Sequence, residues 1–156
     1  MRVKAVPEPP ESLETVEAAR RAVPLVPGTE DDCCARIMDR IDLGARDEAR
    51  VWLTFLRGLG LVREGPNGFV RTRASIDLSS SFQEGIYGAA ELIEFLDDTQ
   101  KPVSEATAMT QVRIPEWERR RYQDPESAWG KRVRSILEWL VLLGEARRTD
   151  DGYVRD

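Results

Sequence analysis

Apolar residues along the chain fall into two kinds of pattern, which follow one another in the same order twice. Leu53, Leu56 and Leu59 share one face of a helix, and Val133, Ile136, Leu137, Leu140 and Leu143 do so further on, because residues three or four apart in a helix lie on the same side. After each stripe stands a glycine, Gly60 or Gly144, placed where a helix stops in the left-handed conformation that a residue without a Cβ enters freely. Beyond it the spacing changes. Leu61-Val62-Arg63-Glu64 and Gly68-Phe69-Val70-Arg71-Thr72 flank Gly65-Pro66-Asn67, while Ala146-Arg147-Arg148 and Tyr153-Val154-Arg155 flank Thr149-Asp150-Asp151-Gly152. Short runs on either side of turn residues predict a β-hairpin each time.

The two stretches match without a gap, Trp52 to Arg71 against Ile136 to Arg155, 84 positions apart (Leu53 to Leu137). Identical pairs include Leu56 with Leu140, Leu59 with Leu143, Gly60 with Gly144, Arg63 with Arg147, Gly68 with Gly152, Val70 with Val154 and Arg71 with Arg155. Phe55 with Trp139 and Phe69 with Tyr153 keep an aromatic ring. Two amphipathic helices would share some leucines by chance, but not both glycines and the aromatic-Val-Arg ending in register. We read an internal repeat.

Upstream of the first stripe, Ser12 is placed to cap a helix over residues 13–23 with Leu13, Val16, Ala19 and Val23 on one side, ended by Pro24 and Pro27. Thr29 with Asp32 resembles a capping box, opening a helix that turns Cys33, Cys34, Ile37, Met38 and Ile41 inward, and Asp42-Leu43-Gly44 leads into the third helix. In the second half, residues 86–96 predict the first helix and 103–112 a weaker second one. Residues 113–126 read as an insertion before a third helix starting near Ser127. Leu78-Ser79-Ser80-Ser81 places a linker over 75–84, with a short ordered piece at Phe82. The expected organisation is a first unit over 11–74, a linker over 75–84 and a second unit over 85–156. The fold class is mainly α with small β-hairpins.

Composition narrows the chemistry. With 156 residues and a net charge of −5, the chain has no histidine at all, which removes the usual general base and every Ser-His or Cys-His nucleophile. Cys33 and Cys34 are neighbours and offer neither an ordinary disulfide nor a CxxC metal pair, so they are read as small buried packing residues. Neither a phosphate-binding glycine loop nor a metal cluster is visible, so no enzyme, cofactor or metal is expected. No stretch reaches the apolar length of a membrane span and residues 1–10 lack the apolar core of a secretory signal, so a cytoplasmic protein is expected. Only Lys4, Lys101 and Lys131 are lysine, and residues 77–105 carry Asp77, Glu84, Glu91, Glu94, Asp97, Asp98 and Glu105 against Lys101 alone. Arginine with abundant acid resembles a GC-rich or salt-adapted proteome.

Residues 56–72, LRGLGLVREGPNGFVRT, resemble the end of a winged-helix recognition helix followed by its wing, and residues 140–155 resemble it again. The whole chain is similar to a conserved protein family of halophilic archaea. The resemblance implies two winged-helix units in tandem, each with a third helix that enters the major groove and a wing that touches phosphate. On the second unit's third helix the 100° step turns Lys131, Arg134, Ser135, Glu138 and Leu142 outward, with Arg132 at the side. Arg119, Arg120 and Arg121 upstream and Arg147 and Arg148 on the hairpin add candidate phosphate contacts. In the first unit the outward face is Asp47, Arg50, Val51, Thr54 and Gly58, with Arg46 near its start and Arg63 and Arg71 on the wing.

These positions support a DNA-binding transcriptional regulator. The rival reading pairs the same arginines with Glu116, Glu118, Glu126 and Glu138 as solvated surface and makes the chain a protein-interaction module or scaffold in transcription, replication or chromosome organisation, with a protein partner or homodimer. For that reading Leu142 is the candidate contact, beside Trp139. Trp52, Trp117, Trp129 and Trp139 otherwise read as packing residues and not as base-stacking platforms. The two readings differ in surface charge: DNA binding requires exposed cations, and carboxylates that neutralise them favour the scaffold.

Overall fold

The structure, a computed structural model, describes residues 2–73, 75–112, 114, 116–120 and 123–156, with Trp117 and Glu118 described by backbone alone. The chain divides into two compact units, Met1–Tyr87 and Gly88–Asp156. Unit 1 runs α1 (Glu14–Ala22), α2 (Glu30–Ile41), α3 (Arg46–Gly58), β1 (Val62–Gly65), β2 (Gly68–Arg71) and α4 (Leu78–Gly85). Unit 2 runs α5 (Ala89–Thr99), α6 (Glu105–Met109), α7 (Glu116–Arg119), α8 (Pro125–Leu142), β3 (Ala146–Thr149) and β4 (Gly152–Arg155). Helices dominate, and each pair of strands forms its own two-stranded antiparallel sheet, as the patterning predicts.

The second helix of each unit starts on a side-chain cap. Thr29 Oγ1 accepts from the Asp32 N–H at 3.1 Å, and Ser104 Oγ accepts from the Thr107 N–H at 3.2 Å. Each satisfies one of the donors that a helix start leaves open. The third helices end alike. Leu61 N–H reaches back to Leu56 O at 3.0 Å and Glu145 N–H to Leu140 O at 2.9 Å, with Gly60 and Gly144 both at φ +80° between them. This six-to-one closure satisfies carbonyls that the helix end would leave bare. The hairpins then pair in equivalent registers, Val62 opposite Arg71 and Ala146 opposite Arg155.

Each hairpin is fastened to the start of the second helix by main chain. Gly28 and Phe69 exchange both backbone hydrogen bonds at 2.9 and 2.8 Å, and Val103 and Tyr153 do so at 2.8 and 2.9 Å. The residue before each aromatic must let that backbone come close. A Cβ on Gly68 would strike the Gly28 carbonyl oxygen, and one on Gly152 the Val103 carbonyl oxygen. This contact explains why those glycines recur in both copies.

Below these elements the apolar stripes are buried as expected: Val16, Ala19, Cys33, Cys34, Ile37, Leu53 and Leu56 in unit 1, and Leu92, Leu96, Val133, Ile136, Leu137 and Leu140 in unit 2. Leu13, read as inward, is 37% exposed. The helix expected over 86–96 begins at Ala89, and Ile86 instead bridges to Val3. The 75–84 stretch contains α4. Asp77 caps it by accepting from the Ser79 N–H and the Ser80 hydroxyl, and Phe82, 1% exposed, stacks edge-on against Phe55 at 6.1 Å. Three serines mask this short helix in the sequence, since only Leu78 and Phe82 carry its apolar spacing. The predicted second helix over 103–112 contracts to the five residues of α6, and α8 starts at Pro125, where Asp124 accepts from the Ser127 N–H.

Substitution separates the two kinds of glycine. Around Gly60 and Gly144 nothing lies within 4 Å of a new Cβ, so Gly60→Ala and Gly144→Ala carry only the left-handed penalty of about 1–2 kcal/mol. Gly68→Ala and Gly152→Ala add a collision with fixed backbone and destabilise more, as urea denaturation of the four variants will show.

Candidate nucleic-acid interface

The cations at the start of α3 face acids from the first turn of α2. Arg46 is ion-paired with Asp31, while Arg50 Nε donates to Glu30 Oε1 at 2.9 Å and its Nη1 lies 3.7 Å from Asp47. Val51 and Thr54 are half-buried. At the far end of α3, Gly58 is overlaid by Val3, so the expected outward face of unit 1 is open only over its first turns. On the hairpin, Arg63 is exposed and has no carboxylate partner among the described residues. Arg71 is half-buried, with its Nε shielded and without a hydrogen-bond partner among the described residues. Arg57 on α3 and Glu64 on β1 meet at 2.5 Å and tie the wing to the helix.

In unit 2 the charge is arranged differently. Lys131 and Arg134 are exposed on α8, together with Ser127 and a half-buried Ser135. Lys131 has no ion-pair partner among the described residues, and Arg134 Nε lies 3.5 Å from Glu105. Arg132 lies at the side with its guanidinium 5.3 Å from the centroid of the Trp129 ring, a cation–π contact. Arg119 and Arg147 sit at 3.5 Å from Glu126 and 3.9 Å from Asp156, and Arg120 is exposed. Arg121 lies outside the described residues. Exposed pairs at such separations contribute about 0–1 kcal/mol each, so a phosphate oxygen can replace the carboxylate.

Arg148 is held more firmly. Its Nη2 and Nε donate to the two oxygens of Glu138 at 2.6 and 3.1 Å, and the Tyr153 hydroxyl donates to the same carboxylate at 2.7 Å. The hydrogen bond and negative charge of Glu138 raise the basicity of Arg148. Burial, followed by the bond to Glu138, pushes the Tyr153 phenol above its ordinary range. Glu138, expected simply as an outward residue, is therefore the anchor of the second wing. Sequence comparison of the copies carried a signal for it: Glu138 stands opposite Thr54, and Tyr153 opposite Phe69, so the carboxylate and the hydroxyl enter together.

The apolar contact expected of Trp139 and Leu142 is not laid out as one open patch. Trp139 is 1% exposed and Leu142 half-buried. Trp52 and Trp129 are also buried, and the Trp129 indole N–H donates to Val112 O at 3.0 Å. Among the described residues no group of three or more Cys, Asp or Glu is placed to hold a metal ion, and no helix is long and apolar enough to cross a membrane.

Both cysteines are buried free thiols. Burial, with the neighbouring charge of Asp32, lifts Cys33 from 9.0 to about 11, and burial raises Cys34 as well. The raised folded-state value means that stability is fully present below about pH 9 and declines as the pH climbs towards 11, because the unfolded thiol ionises first. Cys33→Ala should flatten the fall of unfolding free energy over that window. The native thiols should react with a disulfide reagent at neutral pH only as fast as the chain opens.

Residues 1–156 match the family model of the Halobacterial double winged helix domain, and the chain belongs to this family. No curated protein and no solved structure matches it.

Proposed function

We propose that this double winged-helix chain binds duplex DNA as a transcriptional regulator and that unit 2 supplies the reading helix. In this reading α8 enters the major groove, with Lys131 and Arg134 directed to base edges and phosphates and Arg147 acting from the wing. The observation that supports it is the contrast between the third helices. Among the described residues Lys131 is exposed without a carboxylate partner and Arg134 has only a 3.5 Å contact, whereas Arg46 and Arg50 on α3 are engaged by Asp31 and Glu30. Ser127 and Ser135 on α8 add hydroxyls able to donate and accept along a groove.

Net charge limits how such a protein binds. At −5 overall, long-range attraction to the duplex is weak, and phosphate contacts lose strength as salt rises. Affinity then depends on base-edge hydrogen bonds and apolar contact, so binding should be selective for sequence. A second reading, a protein-binding module, is favoured by the carboxylates within 4 Å of Arg119, Arg134, Arg147 and Arg148.

Fluorescence anisotropy against a selected duplex, over a salt series, separates the two. Arg134→Glu with Lys131→Glu should lower affinity roughly 10- to 1,000-fold and reduce the salt slope by about 1 for each phosphate contact removed. Arg50→Glu in the otherwise intact chain should change it little. Absence of any binding by the unmodified chain, from low salt to high, overturns the proposal and leaves the protein partner.

A further inference from the structure

The most exposed pair of large apolar side chains among the described residues stands on the loop between α1 and α2 in unit 1, where Leu25 is 48% and Val26 68% exposed. The loop is pinned at both ends. Pro24 O accepts from the Arg71 N–H at 2.8 Å, and Gly28 exchanges its two hydrogen bonds with Phe69. Pro24 and Pro27 fix φ on either side of the pair, so the two side chains are presented on a firm support and binding has less freedom to remove. The fold does not need them to be apolar. Counted back from the matching contact of Val103 with Tyr153, unit 2 carries Gln100 and Lys101, both exposed, ahead of the same proline, Pro102.

Unit 1 also contains a recess of matching character. Beyond the other end of α2, Val6, Pro7, Ile41, Leu43, Val51 and Trp52 line a cavity of about 560 Å³, a size that accommodates compact apolar groups. Its N-terminal wall is fixed, since Pro7 is buried and Val3 is bridged to Ile86. Glu8 and Glu48 also line it, exposed and in no ion pair among the described residues. The apolar loop has the opposite charge around it. Arg21, 64% exposed, is held only by a surface pair with Glu17, and Arg73 is exposed two residues beyond the Arg71 that pins the loop, in no ion pair among the described residues. The acids that follow the loop on α2 are occupied, Glu30 by Arg50, Asp31 by Arg46 and Asp32 by Arg36. The 12 residues of α2 span about 18 Å, so a chain cannot place this loop in its own recess.

We propose that the Leu25-Val26 loop of one copy enters the recess lined by Ile41, Leu43 and Trp52 of another, so that the chain associates head to tail through two different patches of unit 1. The apolar pair leaves water for an apolar cavity, and Arg21 and Arg73 come to Glu8 and Glu48 at its mouth. Because the two patches differ, every pair of copies retains one unused loop and one unused recess, and association continues into a ring or an open file. The contact is separate from α8 and does not depend on the DNA-binding reading.

Sedimentation velocity of the full chain over a concentration series tests this. The mass of the unmodified chain should rise above 17.7 kDa as concentration increases. A loop variant, Leu25→Asp with Val26→Asp, and a rim variant, Glu8→Arg with Glu48→Arg, alter only exposed side chains. Each should weaken self-association on the order of tenfold or more and remain a monomer where the unmodified chain assembles. Mixed, the two should form pairs and stop at twice 17.7 kDa, because the rim variant supplies an intact loop, the loop variant an intact recess, and neither can add a third copy. Thermal unfolding checks the fold, and if a double change lowers the transition, Val26→Asp and Glu48→Arg alone carry the test. An unmodified chain that stays monomeric at every concentration overturns the proposal. It is also overturned by a rim variant that associates as strongly as the unmodified chain, which indicates a two-fold contact through like patches, or by a mixture of folded variants that stays monomeric.

Discussion

The architecture of each unit depends on one main-chain contact, the paired hydrogen bonds between the residue before the second helix and the aromatic residue of the hairpin. In unit 1 these residues are Gly28 and Phe69, in unit 2 Val103 and Tyr153. The contact joins parts of the chain some 40 to 50 residues apart, and it sets where the wing stands relative to the capped start of the second helix. It uses backbone polar groups that would otherwise need water at the edge of a two-stranded sheet. Side chains adjust to it: Gly68 and Gly152 leave room for the carbonyls of Gly28 and Val103 to approach.

Much of this plan was readable from residue spacing, and the exceptions have physical causes. The third helices, their glycine stops and both hairpins announce themselves through periodicity and through residues with few alternative uses. Thr29 was legible as a cap for the same reason. The helix α4 was not, because eight residues with three serines give too few apolar positions to establish a period. Position 3 gave no sign of its role either: a valine in a short run without helical or strand period acquires meaning only when Gly58 and Gly85 bring two pieces of backbone together around it. At the interface, helical geometry placed Lys131 and Arg134 outward correctly, but it could not show which arginines had already found carboxylates. Those pairings depend on elements far apart in sequence, such as Arg134 with Glu105 and Arg148 with Glu138.

The two copies keep apolar residues along the packed face of the third helix and differ in charge where they face solvent. Burial is shared position by position along the matched helices, Leu53 with Leu137, Leu56 with Leu140 and Phe55 with Trp139. Outside the core, and among the described residues, unit 1 has its cations engaged on α3 and Arg63 without a carboxylate on the wing, while unit 2 has Lys131 without one on α8 and Arg148 engaged on the wing. A duplicated fold retains its hydrophobic stripe because each leucine has many neighbours; a surface charge answers to one or two.

The tie between helix and wing shows the same divergence in reverse polarity: Arg57 reaches Glu64 in unit 1, and Glu138 reaches Arg148 in unit 2. Glu64 and Arg148 occupy equivalent strand positions. Exchanging the sign at position 64 alone, or at position 148 alone, would therefore set like charges face to face across the junction of wing and helix.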